Sequence, residues 1–236
     1  MLSKPRNANG AVRDRDVDAR LMATVDRLEE DVVLGILHPR ERLVEDELCA
    51  RFGLKRHVTR RVLRELERRG LVEHRKNIGA LVKSYAPQEV IELYAVRETL
   101  ETSAARLIRL PVAPERLAPV VAAQERHDAA AAREDLRGVF RANLEFHSAL
   151  FALSDNRVLH EAIQEYERRT QGIRFSSIAS PDYLERVRAE HHRMIATLRT
   201  RDRRLLVALC RQHLHPSRDA WLRIHQRQFD VPPAGG

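Results

Sequence analysis

Aromatic side chains are scarce in this chain of 236 residues, 5 % of the total with a single tryptophan. Leu, Ala, Arg and Glu are frequent instead. Most of these lose little side-chain freedom in a helix, so a mainly α fold is expected. Cysteine is nearly absent: Cys49 and Cys210 stand far apart, each within an apolar helical pattern. That excludes a disulfide framework and fits buried free thiols in a reducing compartment. No apolar run reaches the roughly eighteen residues that a membrane helix needs, and the opening Met-Leu-Ser-Lys-Pro-Arg-Asn lacks the apolar stretch of a secretion signal. A cytoplasmic protein is expected. What the chain does have is charge, with 42 Lys and Arg against 34 Asp and Glu for a net +8.

The charge is concentrated. Residues 51 to 76 carry ten basic side chains against Glu65, Glu67 and Glu73, an excess of +7. Within this stretch Arg56, Arg60, Arg64 and Arg68 recur at intervals of four, while Val62, Leu63 and Leu66 fall on the opposite side. On a helix this gives one exposed basic stripe and one face able to enter a core. A short amphipathic helix starting at Glu45 precedes it, with a turn at Gly53. After Gly70 the pattern becomes short and β-like: Leu71 and Val72, a polar tip from Arg75 to Gly79, then Ala80 to Val82. Helix, turn, helix and hairpin in this order describe a winged helix-turn-helix that offers its second helix to a DNA major groove.

A charged helix face is ordinarily only solvated, but here charge, turn and wing coincide. Arginine can make a fork of two hydrogen bonds to guanine, and Arg56 and Arg60, near the helix start, are best placed to reach base edges. Lys55, His57, Arg61 and Arg64 are expected on phosphates, which set register without carrying sequence information. At the wing, Lys76, Asn77 and Gly79 form a tight turn whose tip suits the adjacent minor groove; Asn and Gly tolerate positive φ. Gly79 serves equally as a simple hairpin glycine.

Residues 1–17 show no hydrophobic period and are expected to be a flexible arm, with Lys4, Arg6, Arg13 and Arg15 able to touch phosphate. Leu21, Val25, Leu28, Val32 and Ile36 mark a first helix that Pro39 stops, so the DNA-binding domain is read over 18–84. Pro87 then opens a second domain, 85–228, in which six helical segments are counted: about 87–109, 114–133, 135–153, 156–178, 181–200 and 202–227. Asp202 is a suitable N-cap for the last. An all-α six-helix bundle is implied, followed by a disordered tail, 229–236.

Two resemblances carry more specific expectations. The run Gly35-Ile-Leu-His-Pro-Arg-Glu-Arg-Leu-Val-Glu45, followed by Phe52 to Val72, resembles the DNA-binding domain of GntR-type transcriptional regulators. Arg56 and Arg60 fall on that family's two DNA-contacting arginines; Lys55, His57, Val58 and Arg61 stand where Ser, Thr, Pro and Glu are usual. The second half resembles the FCD ligand-binding domain of the FadR branch. The residues that carry it are Glu92-Leu-Tyr-Ala-Val-Arg-Glu-Thr-Leu-Glu101, Asn143-Leu-Glu-Phe-His147, Ser154-Asp-Asn156, Glu190-His191, and Asp202 with His213.

The FCD resemblance implies a divalent metal held by His147, His191 and His213, with Asn143 at the position where the family has an aspartate. His192 adjoins His191 and would take its place in a shifted alignment. Three imidazoles suit zinc, nickel or another first-row ion, and an amide is a poorer ligand than a carboxylate. The resemblance also places Arg97 at a family arginine position, suited to holding a small organic acid, though Arg97 and Glu101 are four apart and can simply pair. Arg174, Tyr166 and Arg169 are looser effector candidates. The expected protein is a ligand-responsive regulator, most often a repressor in this family, acting as a homodimer on a near-palindromic operator of double-stranded DNA. A helical-bundle metalloenzyme with a DNA-binding head is the alternative, and the lack of an evident general base counts against it.

Overall fold

The computed structural model describes residues 8–178 and 180–229, with side chains described over 17–174 and 180–225. By backbone contacts the chain divides between Ser84 and Tyr85.

The first unit runs α1 (Ala8–Val33), β1 (Arg42–Leu43), α2 (Glu45–Phe52), α3 (Arg56–Arg68), β2 (Val72–Arg75) and β3 (Gly79–Val82). Leu21, Val25 and Leu28 of α1 pack with Leu48 of α2 and with Val58, Val62, Leu63 and Leu66 of α3. Gly53 adopts the left-handed conformation (φ 60°) that lets α2 stop and α3 start at an angle, its N–H donating to the Cys49 carbonyl. The sheet order is β1-β3-β2, all antiparallel, and the β2–β3 turn carries Asn77 at φ 66° and Gly79 at φ 102°.

Three local expectations are corrected. The helix extends back through residues 8 to 17, within the expected arm: a helix once formed gains one hydrogen bond for each residue added and needs no apolar stripe of its own. The rest of the arm, with Lys4 and Arg6, lies outside the described residues, as do the side chains of Arg13 and Arg15. At the other end Gly35 (φ 67°) follows the last turn, so Ile36 leaves the buried stripe and is 53 % exposed. Strand β1 was not foreseen; two residues give too little alternation to recognise.

The second unit contains, among the described residues, seven helices: α4 (Pro87–Leu107), α5 (Pro114–Ala132), α6 (Leu136–Ala152), α7 (Arg157–Arg169), α8 (Gln171–Ile178), α9 (Pro181–Leu198) and α10 (Arg203–Phe229). Prolines 87, 114 and 181 each occupy a first turn, where the missing N–H costs nothing. Asp135, Asn156, Ser180 and Asp202 accept from backbone N–H groups at the starts of α6, α7, α9 and α10. The segment expected as one helix over 156–178 is two. Thr170 ends α7 because its hydroxyl donates back to the carbonyls of Tyr166 and Glu167 and also accepts from Arg97 Nη1, and Gly172 follows. Residues 230–236, most of the expected tail, lie outside the described residues, and Phe229 ends α10. The core joins Ala104, Ala105 and Ile108 of α4, Val120 and Ala123 of α5, Phe146, Leu150 and Phe151 of α6, Met194 and Leu198 of α9, and Leu206 and Leu209 of α10. No described helix is long and apolar enough to cross a membrane.

Candidate functional site

Two surfaces concern function, one in each unit. On α3, Val58, Val62, Leu63 and Leu66 are buried while Arg56, His57, Arg60, Arg61, Arg64 and Arg68 are exposed, with Lys55 just ahead of them. Lys76 and Asn77 are exposed at the wing, and Gly79 begins β3 half-buried. The window from 51 to 76 overstates the free charge, because acids from α1 and α2 fold onto it. Arg51 pairs with Asp31, and Arg69 with Asp26, Glu29 and Glu65, so these two arginines hold α3 and α2 against α1. Arg56 meets Asp46 at 2.9 Å, Arg60 meets Glu45 at 3.0 Å and Arg61 meets Asp18 at 2.7 Å. These three pairs are solvated; Arg56 and Asp46 are 68 % and 67 % exposed. Such pairs are worth about 0–1 kcal/mol and exchange readily for phosphate or a base edge. Lys55, Arg64 and Lys76 have no ion-pair partner among the described residues.

In the second unit α6, α9 and α10 bring His147, His191 and His213 together, each offering a nitrogen within 4.8 Å of the others. His213 Nε2 lies 3.2 Å from His147 Nε2 and 3.3 Å from His191 Nε2. The partners of the outer nitrogens decide the tautomers. Asp128 accepts from Arg188, His192 and Gln124 Nε2, which turns the Gln124 oxygen toward His191 Nδ1 at 2.7 Å. His191 therefore donates from Nδ1. His213 likewise donates from Nδ1 to Glu190 Oε2 at 2.7 Å. In their neutral forms both rings keep their one proton outside and turn an Nε2 lone pair inward. Facing lone pairs repel, and a cation between them removes the repulsion. Tetrahedral zinc, with Zn–N bonds of about 2.0–2.1 Å, sets its nitrogens about 3.3 Å apart. The two spacings made by His213 match that value, and Phe146, stacked on His191 with centroids 3.8 Å apart, holds the ring plane. His192, the shifted-alignment candidate, is 55 % exposed and occupied with Asp128.

Asn143 stands one turn before His147, half-buried, and lines a cavity of about 20 Å³ with His127, Val139, Phe140, Arg174, Tyr183, Leu184 and Val187. That is on the scale of one water molecule. His127 was missed from sequence: it is 1 % exposed and its ring lies 5.5 Å from that of His191. The signal was present, because Gln124 and His127 sit on the same buried stripe of α5 as Leu117, Val120 and Ala123. Arg97 Nη2, His127 Nδ1, His147 Nδ1, Glu167 Oε1, Gln171 Oε1 and Arg174 Nη1 are buried without a hydrogen-bond partner among the described residues. Buried polar atoms are rarely left so, and a cluster of them marks a place for a polar guest. Arg97 is placed otherwise. It is 1 % exposed, donates from Nε to Glu101 at 2.9 Å and from Nη1 to Thr170 at 3.1 Å, so the pairing its spacing allowed is present. The guanidinium lining the cavity is that of Arg174. Tyr166 half-covers a separate apolar cluster, and the Arg169 carbonyl accepts from the Tyr85 hydroxyl.

Burial disfavours charging these imidazoles. It lowers His127 from 6.5 to about 4, and burial followed by the charges of His213 and other neighbours puts His147 and His191 well below the usual value. Glu190 moves the other way for its class: burial raises its carboxyl, but hydrogen bonds from His213 and Arg186 outweigh this and leave it below the usual value. For a histidine depressed on folding, the unfolded chain takes up protons first, so stability falls as pH drops from the unfolded value to the folded one. The metal-free protein should lose thermal stability between pH 6.5 and about 4, by up to about 3 kcal/mol from His127 alone. Calorimetry across that range should show a flatter profile for His127→Gln.

A basic recognition helix with a wing, followed by a helical domain with a polar interior, defines a ligand-responsive DNA-binding regulator. The family comparisons agree: residues 22–82 match the model for bacterial regulatory proteins of the gntR family and residues 92–216 match the FCD domain. The chain belongs to the GntR family of transcriptional regulators and carries a C-terminal FCD domain. It is 26 % identical over 179 residues to the uncharacterized HTH-type transcriptional regulator YdhC of Bacillus subtilis (strain 168), covering 75 % of this chain and 80 % of the relative. It is 22 % identical over 203 residues to the HTH-type transcriptional repressor RspR of Escherichia coli (strain K12), covering 86 % and 89 %. A GntR regulator from Rhodococcus sp. RHA1 superposes with a TM-score of 0.73 at 22 % identity, over 87 % of this chain and 98 % of that one, a likeness of fold.

The family binds DNA operators and, through the FCD domain, small-molecule effectors; FCD domains are often associated with a metal. Its members are regulators rather than enzymes, and the two carboxylates nearest the candidate histidines in sequence are both engaged. Glu145 is paired with Arg126 on the surface, and both Glu190 oxygens are engaged.

Proposed function

We propose that the chain represses transcription as a homodimer bound to a near-palindromic operator, and that a small carboxylate sensed beside a divalent metal, best matched by zinc, releases it. Residues 18–84 form the DNA-binding domain in this reading and 85–228 the effector and dimerisation domain. The observation that carries it is the row of exposed guanidinium groups from Arg56 to Arg64, with an apolar opposite face that fixes the helix against its own domain. Arg56 and Arg60 read bases; Lys55, His57, Arg61, Arg64 and the wing residues Lys76, Asn77 and Gly79 hold the backbone.

In the bundle, His147, His191 and His213 hold the metal, which supplies a Lewis-acidic position for an anionic oxygen. Asn143 and His127 flank that position, and Arg174 offers an unshared N–H to a carboxylate. Arg174 thus takes the part the sequence suggested for Arg97. The effector controls DNA binding only insofar as it binds one arrangement of the dimer more tightly than the other. Footprinting of genomic fragments tests the whole: a protected sequence with dyad symmetry is expected, weakening steeply with added salt and cleared by the right carboxylate. No protected sequence at any ionic strength would overturn it.

A further inference from the structure

Three neutral imidazoles bring no negative charge to a divalent cation, and Asn143 is an amide. Burying such a cation without a nearby anion is costly. A carboxylate lies directly behind one of the three rings. Glu190 is next to His191 in the chain, yet its side chain points at His213: Oε2 accepts from His213 Nδ1 at 2.7 Å, and Oε1 accepts from Arg186 Nε at 2.8 Å. The Glu190 side chain is 12 % exposed, whereas Arg186 is 55 % exposed and holds it only through solvent-screened contact. Gln124 occupies the equivalent place behind His191 but carries no charge.

We propose that Glu190 is the charge-compensating and positioning residue of this centre, supplying to a bound divalent cation, through the His213 ring, the negative charge that Asn143 cannot. A carboxylate accepting from Nδ1–H pushes electron density toward Nε2 and makes that nitrogen the better donor to a metal. His213 is the ring that faces both others, at 3.2 and 3.3 Å, so the effect is delivered at the middle of the triangle. The site thereby separates two roles: neutral rings determine where the ion sits, and a buried acid that does not touch it determines how tightly it is held. The proposal rests on the metal reading above.

The experiment uses the full chain, stripped of metal and titrated with Zn²⁺ and Co²⁺ against a chromophoric chelator. Glu190→Gln keeps an acceptor of the same shape and removes only the charge. Affinity should fall by about ten- to a hundredfold, with the Co²⁺ spectrum still that of a three-imidazole site and any drop in the metal-free midpoint no more than the loss of the Arg186 and His213 charge contacts gives. Asn143→Asp, introduced one helical turn from His147, should return most of the lost affinity in the Glu190→Gln background. Unchanged affinity in Glu190→Gln overturns the proposal. So does a loss that Asn143→Asp fails to repair and that comes with a larger drop in the metal-free midpoint, since Glu190 would then be structural. A parent protein that binds neither ion overturns the metal reading itself, and this proposal with it.

Discussion

Replacing Arg56 or Arg60 by alanine should reduce operator affinity by about ten- to a hundredfold and flatten discrimination between operator and mutated operator. The two guanidinium groups begin α3 and are 68 % and 60 % exposed, so truncation costs the fold little. What they lose in the free protein is weak: a solvated pair with Asp46 and another with Glu45. Those pairs sharpen the expectation. Asp46→Asn should leave sequence preference intact and slightly tighten binding at low salt, because one competitor for Arg56 is gone. Arg64→Ala, in contrast, should weaken all DNA sequences alike and lower the salt slope by about one. Titrations by fluorescence anisotropy on matched and scrambled duplexes separate the outcomes; retained selectivity in both Arg56→Ala and Arg60→Ala would remove α3 as the reading element.

Stoichiometric metal in the purified protein should vanish in the double substitution His147→Ala, His191→Ala, together with the stabilisation that metal confers. A ligand that binds only the folded chain adds about 4 kcal/mol at a thousand times its dissociation constant, a shift of several degrees in the thermal midpoint. His191 is fully buried and His147 nearly so, hence each alanine also opens a cavity and costs stability without metal. The comparison must be the gain on adding Zn²⁺, not the absolute midpoint. Normal metal content in the double variant would place the ion elsewhere. Effector addition should shift the midpoint further only when Arg174 is intact, and a carboxylate response undiminished in Arg174→Met would return attention to the buried Arg97 cluster.

The elements were easier to read than the contacts between them. The four-residue recurrence from Arg56 and the break at Gly53 define α3 because periodicity and a left-handed turn are local properties. Proline at a first turn identifies the starts of α4, α5 and α9 for the same reason. Strand β1 escaped because its pairing with β3 joins residues far apart in sequence, and the end of α7 escaped because Thr170 breaks the helix with a hydroxyl whose target is a choice of rotamer. The charge of the reading face was overestimated on the same ground: Asp18, Glu45 and Asp46 lie outside the basic window and reach it only through the fold.

At the candidate centre, the three histidines were legible through the resemblance to FCD domains, each being individually indistinguishable from any core or surface imidazole. Their supports were not. Gln124 looks like a polar misfit on an apolar stripe until Asp128 is seen holding its amide nitrogen. His127 carries no motif at all. Arg97 is favoured by its place in a motif, but its Nε and Nη1 already donate to Glu101 and Thr170, leaving Nη2, within ion-pair distance of Glu101 and Glu167, without a hydrogen bond.

The carboxylate of Asp128, gripped by Arg188, can only accept; Gln124 therefore cannot flip, and the proton on His191 has nowhere else to sit. In the metal reading, two of the three rings, His191 and His213, would meet an ion with their protons already turned outward, and only His147, whose Nδ1 has no partner, would have its proton to rearrange. On that reading the fixed placing of two lone pairs, rather than the donor atoms, which any first-row cation would find acceptable, is what would discriminate between ions.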